Sequence, residues 1–115
     1  MFIDWKQTNK YMNIEVNIDR HIKGSERLID YCKATLEAEF DRFSEHITRI
    51  DVHFSDENGA KGGDDDKRCL IETRLKGLKP ITTSNHAPTI DDALSGAIDK
   101  MVTVLDTTLA KLRNR

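Results

Sequence analysis

The sequence predicts an α+β fold of order β-α-β-β-β-α, with two helices packed on one face of a four-stranded sheet. Two observations carry this: three short segments with apolar residues at period two, the last followed by a turn and a short fourth strand, and two longer segments with apolar residues at helical spacing. A third bounds it. The chain has 115 residues, 37% of them hydrophobic and 33% charged, enough for one domain with one modest core.

Met12, Ile14, Val16 and Ile18 alternate with Asn13, Glu15 and Asn17, which predicts a half-buried first strand. Gly24 and Ser25 break the pattern. From Glu26 the spacing becomes helical, with Leu28, Ile29, Cys32, Leu36, Phe40 and Phe43 on one stripe and Asp30, Lys33, Glu37 and Asp41 opposite. The end of this helix falls near residues 44–46. Ile50, Val52 and Phe54 then alternate with Arg49, Asp51 and His53, giving a second strand.

Residues 55–66 (SDENGAKGGDDD) hold three of the six glycines and no apolar residue larger than alanine, the composition of a solvated loop. Cys69, Ile71, Thr73 and Leu75 alternate with Arg68, Leu70, Glu72 and Arg74 as a third strand. A turn at residues 77–79 leads to a short fourth strand at 81–85, which Pro80 places at a sheet edge. Thr89, with Asp92 three positions on, is a capping-box-like helix start. Ile90, Leu94, Ala97, Ile98, Met101, Leu105, Leu109 and Leu112 continue it as a long second helix. The strand-helix-strand crossover makes the first two strands parallel neighbours, and the short later links make antiparallel hairpins. Residues 12–115 read as a single domain. Residues 1–11 read as an N-terminal extension, either a packed strand or a disordered segment, whose Phe2, Ile3 and Trp5 are able to cover a sheet edge or meet a partner.

Several classes of chemistry find no support. No apolar run approaches the roughly 18 residues a spanning helix needs, and Asp4, Lys6 and Lys10 interrupt the N-terminus in a way a signal peptide does not. A soluble, cytoplasmic protein without membrane contact is expected. Cys32 and Cys69 are read as reduced core thiols rather than a disulfide framework. No catalytic residue stands out, because neither cysteine has a positioned base, and the chain reads as a non-enzyme without a small-molecule substrate. The histidines at 21, 46, 53 and 86 lack HxH or HExxH spacing, so no metal site is expected. No glycine-rich phosphate loop leads into a helix, and no cofactor is implied. Asp56, Asn58 and Gly59 resemble the start of a calcium loop, but the closing glutamate and the following helix are missing.

The formal net charge of -2 hides a strong polarity. Residues 67–79 carry five bases (Lys67, Arg68, Arg74, Lys76, Lys79) against Glu72 alone. The tail adds Lys111, Arg113 and Arg115, whereas residues 51–66 carry six acids against Lys61. Ion pairing across an open sheet face would produce the same pattern as a binding surface.

Four stretches together resemble a known family: the opening strand MNIEVNID, the helix exit and second strand RFSEHITRIDVHFSDENG, the segment KGGDDDKRCLIE, and TIDDALSGAIDKM at the second helix. The chain resembles the ribosome hibernation-promoting factor and ribosome-associated inhibitor family over residues 12–113. The long SDENG-x-KGG loop resembles that of one subgroup. The resemblance implies the same β-α-β-β-β-α fold and a stress or stationary-phase protein, whose partners are the small ribosomal subunit and its ribosomal RNA. It implies steric block of translation, with hibernating ribosomes as the outcome. It also implies a short form, without the C-terminal domain by which long members pair ribosomes or the tail of the translation-inhibiting short form.

Tight-binding members carry bases on the outer faces of both helices. Here the second helix offers Lys100, Lys111 and Arg113, while Glu26, Asp30, Glu37, Glu39, Asp41 and Glu45 outnumber Arg27, Lys33 and Arg42 on the first. The candidate RNA-binding residues are therefore Lys67, Arg68, Arg74, Lys76, Lys79, Lys100, Lys111 and Arg113, with weaker or differently oriented binding expected. The alternative reading is a protein-interaction or regulatory module on the same fold, with weak or no RNA binding.

Overall fold

Strands and helices appear in the expected order in the computed structural model, which describes residues 12–19, 22, 26–57 and 67–113. They are β1 (Asn13–Ile18), α1 (Glu26–Phe40), β2 (Ile47–Asp56), β3 (Lys67–Leu75), β4 (Ile81–Ala87) and α2 (Ile90–Arg113). The sheet order is β1-β2-β3-β4, parallel between β1 and β2 and antiparallel elsewhere. β4 is an edge strand, as Pro80 required. The extension at residues 1–11 and the calcium-like run at 58–66 lie outside the described residues.

One face of the sheet is dry. Ile14, Ile50, Val52, Phe54, Cys69, Ile71 and Leu75 join Cys32, Leu36 and Phe40 of α1 and Leu94, Met101 and Leu105 of α2 in a single core. Each large apolar side chain fully buried there contributes about 1.5–3 kcal/mol. α2 lies across β3 and β4, and α1 lies on the β1 side. Thr73 is fully buried in this core, and its hydroxyl has no hydrogen-bond partner.

Four boundaries differ from the sequence reading. α1 stops at Phe40 and a 3-10 turn covers Asp41–Phe43. The tighter winding stacks positions i and i+3, so Phe40 and Phe43 both stay buried, with ring centroids 6.4 Å apart. β2 starts earlier, at Ile47, because a register irregularity between Ile47 and Arg49 turns both Ile47 and Ile50 into the core. It also runs on to Asp56, because Ser55 and Asp56 pair with Arg68 and Lys67. The loop read as starting at residue 55 therefore begins after the strand, and β4 likewise extends two residues further, to Ala87.

The topology gives the domain two ends. β1, β2 and β4 run the same way and β3 runs against them. Both helices start where β1 and β4 finish, so α1 and α2 run parallel to each other, back along the sheet. One end, the loop end, holds the β2–β3 connection and both helix N-termini. The other, the turn end, holds the β3–β4 turn, the 3-10 turn and the last turns of α2. Gly77 makes the β3–β4 turn possible, with φ +73° in the left-handed region that side chains disfavour.

α2 is clamped onto β4 by polar contacts. Thr89 Oγ1 accepts from the backbone N–H of Asp92 at 3.1 Å, the N-cap read from the sequence. Asn85 Nδ2 donates to the carbonyls of Asp92 at 3.2 Å and Ala93 at 3.5 Å, and Thr83 Oγ1 donates to that of Ala97 at 3.0 Å. Gly96 leaves the space Asn85 occupies, since a Cβ there would collide with the Asn85 amide.

Candidate functional site

The distribution of cations is the chemistry this chain offers, and strand geometry decides where they fall. Residues 67–79 look like one basic segment, but eight strand steps separate Lys67 from Leu75, about 26 Å. Lys67 and Arg68 therefore sit at the loop end, and Lys76 and Lys79 at the turn end. The eight candidates form several groups rather than one patch.

At the loop end the cations have carboxylate partners. Lys67 Nζ donates to Asp56 Oδ2 at 3.2 Å, with both side chains largely buried. Arg68 Nε lies 4.0 Å from Glu57 Oε1, and His86 Nε2 lies 3.5 Å from the same oxygen.

On the open sheet face, register stacks like charges in rows. Glu15, Asp51 and Glu72 oppose one another across three strands, and Asn13, Arg49 and Arg74 form the next row. Directly opposed carboxylates repel, and the arginine row offsets this. Arg49 Nε donates to both Asp51 carboxylate oxygens at 3.1 and 2.9 Å, and its Nη2 lies 2.9 Å from Oδ1. These bonds hold the Arg49 guanidinium above its ordinary pKa. Arg74 Nη2 is 3.6 Å from Glu72 Oε1. Lys100 is engaged differently: its Nζ donates to the Ser84 carbonyl at 2.8 Å, on edge strand β4.

The turn end contrasts with all of these. Two strand steps (Asn85 to Thr83) match four helix steps (Ala93 to Ala97), each about 6 Å, so Lys79 lies level with about Leu105. Lys111 and Arg113 then follow about 9–12 Å beyond, on the same side as the turn. Lys76, Lys79, Lys111 and Arg113 are exposed, and among the described residues none has a carboxylate within salt-bridge distance. The two α2 cations also suit the negative end of the helix dipole. Beside them, Arg42 grips Asp106 through two bonds of 2.7 and 3.0 Å and covers the Phe43 ring at 4.1 Å. The guanidinium holds the Asp106 carboxyl below the usual carboxylate range, chiefly by hydrogen bonding.

Sequence reasoning missed the Arg42–Asp106 clamp and the role of Gly96. Arg42 and Asp106 are 64 positions apart, with no local signal to join them; Gly96 stood inside the DALSGAIDKM segment, where a glycine amid a helical stripe was the available cue.

Burial pushes the Cys32 thiol up to about 11 and the Cys69 thiol up to about 12, so neither is a thiolate near neutral pH. Among the described residues, no cluster of three His, Cys, Asp or Glu side chains is placed to hold a metal ion, and no helix is long and apolar enough to cross a membrane.

Comparison with known proteins matches this fold to one family. The family model described as sigma 54 modulation protein / S30EA ribosomal protein matches residues 10–115. Among solved structures, the chain is similar to the Thermus thermophilus protein Y N-terminal domain, with a TM-score of 0.68 and 21% identity over 84% of this chain and 99% of that one. It is also similar to a ribosomal subunit interface protein from Coxiella burnetii, with a TM-score of 0.61 and 17% identity over 90% of this chain and 100% of that one. No curated protein sequence matches significantly.

Proposed function

The chain belongs to the sigma 54 modulation protein / S30EA ribosomal protein family, the hibernation-factor family its strand and helix segments resemble, and on that premise we propose that it is a ribosome-associated stress or stationary-phase factor. It binds the small ribosomal subunit in the cytoplasm and blocks translation by occupying space, without catalysis. The observation that carries this reading is the set Lys76, Lys79, Lys111 and Arg113 at the turn end, exposed and with no carboxylate within salt-bridge distance among the described residues, although Arg113 also acts through space on the Asp106 carboxyl.

Phosphates of folded RNA are the natural ligand of such a group. Lysine and arginine gain affinity by releasing condensed counterions, and A-form RNA is recognised by shape and backbone more than by base edges. Lys67, Arg68 and Arg74 are already near carboxylates, so they contribute less. Lys100, tied to a backbone carbonyl, positions α2 against the sheet.

A second reading, a protein-interaction module on the same fold, is favoured by one observation. Glu26, Asp30, Glu39, Asp41 and Glu45 are all exposed along α1 and its exit, and α1 has no base in its last turn. That face repels phosphates. Cosedimentation with purified small subunits at low salt separates the two readings: the chain is expected in the ribosomal pellet, and its absence there contradicts the ribosomal one.

A further inference from the structure

α1 and α2 run parallel over one sheet face but touch sparsely, and the described residues leave space between them. Two adjoining cavities open along it, of about 160 and 350 Å³, sharing Tyr31 and Asp91 in their walls. The floor is apolar, made by Leu94 and Ile98, which are themselves nearly buried. The rim is acidic. Glu39 comes from α1, and Asp91 and Asp99 come from α2; among the described residues none of the three carboxylates makes an ion pair or hydrogen bond. Tyr31, at the junction of the cavities, is 49% exposed, the most exposed of the large hydrophobic side chains described. Arg27 stands at the far end of the second cavity, the one cation among the described residues that line it.

From this geometry we infer that the α1–α2 groove is a docking site for a lysine- or arginine-rich helical segment of a partner protein. From Arg27 to Glu39 the groove is about 18 Å long, the length of a twelve-residue helix, and a third helix laid parallel between two others packs its ridges into their grooves. Asp91, Ser95 and Asp99 fall at i, i+4 and i+8 on one face of α2, placing the two carboxylates about 12 Å apart. A partner helix with cations eight residues apart meets both, while apolar residues between them reach Leu94, Ile98 and the Tyr31 ring. The same rim excludes nucleic acid. This site is on the helix side of the domain and uses none of the turn-end cations, so it stands independently of the ribosomal reading.

The test is a heteronuclear NMR titration of the full chain. The probe is a helical alanine/leucine peptide of about 14 residues with lysine at every fourth position; the control is its glutamate counterpart. Saturable shifts are expected at Tyr31, Thr35, Ser95 and Ile98, with no response to the glutamate peptide. Asp91→Asn with Asp99→Asn is expected to weaken binding at least tenfold, and Glu39→Gln, on the exposed face of α1, gives an independent loss should the double variant not fold. Lys76→Glu with Lys79→Glu is expected to leave peptide binding unchanged. Equal binding of the glutamate peptide, shifts confined to the open sheet face, or no saturable shift overturns the proposal. So do groove shifts that follow protein concentration alone, which would mean a second copy, or that an RNA hairpin reproduces.

Discussion

The loop end of the domain carries two of the candidate cations and the turn end four, and the two sets differ in what those cations are doing. At the loop end, Lys67 and Arg68 lie within 3.2 and 4.0 Å of Asp56 and Glu57. At the turn end, Lys76, Lys79, Lys111 and Arg113 face solvent without such neighbours among the described residues. Net charge is a poor guide to partners in this chain, and the pairing state of each cation is a better one. A cation already beside a carboxylate has a competitor for any phosphate, whereas an unpaired one has only water and counterions to release.

The largest expected effect comes from reversing one end and then the other. Replacing Lys76, Lys79, Lys111 and Arg113 with glutamate is expected to weaken small-subunit binding on the order of a hundredfold at fixed moderate salt, at roughly half a decade for each phosphate no longer neutralised. Replacing Lys67 and Arg68 in the same way should change it far less, because Asp56 and Glu57 already offset them. Equal losses at both ends, read by quantitative cosedimentation, would remove the distinction between them.

The next effect concerns the platform that carries the turn-end helix. Gly96→Ala drives a methyl into Asn85, an overpacking worth about 1–3 kcal/mol, against which alanine returns at most about 1 kcal/mol of helix propensity. A net loss of stability in urea unfolding is expected, with Asn85→Ala recovering part of it in the Gly96→Ala background. Additive single-site effects would mean that the two residues do not meet.

The smallest effect lies inside the core near the turn end of β3, at Thr73. Its hydroxyl is buried without a partner, so Thr73→Val, nearly the same shape, is expected to raise stability by up to about 1 kcal/mol and to leave small-subunit binding unchanged. A lower urea midpoint would mean that the hydroxyl is satisfied after all.

Much of this was legible in the sequence. The alternation of Ile50, Val52 and Phe54, the stripe from Ile90 to Leu112, and Thr89 with Asp92 are local signals, and each element appeared where its pattern put it. The element ends were less legible, because tertiary pairing sets them: Ser55 and Asp56 look like loop residues until Arg68 and Lys67 pair with them. The candidate site was legible as composition and hidden as geometry. Residues 67–79 are contiguous in sequence, but a strand separates their ends by about 26 Å, while Lys79 and Lys111 converge only because α2 doubles back along β4. The acidic row Glu15, Asp51 and Glu72 likewise exists only in the register of three strands.

The most direct measurement of the central claim is the salt dependence of small-subunit cosedimentation, run for the natural chain beside the turn-end glutamate variant. Binding through four phosphates predicts that the slope of log affinity against log salt is about 3 units shallower in the variant, at roughly 0.7–0.9 per phosphate. An unchanged slope, or natural-chain binding indifferent to salt, would contradict the account.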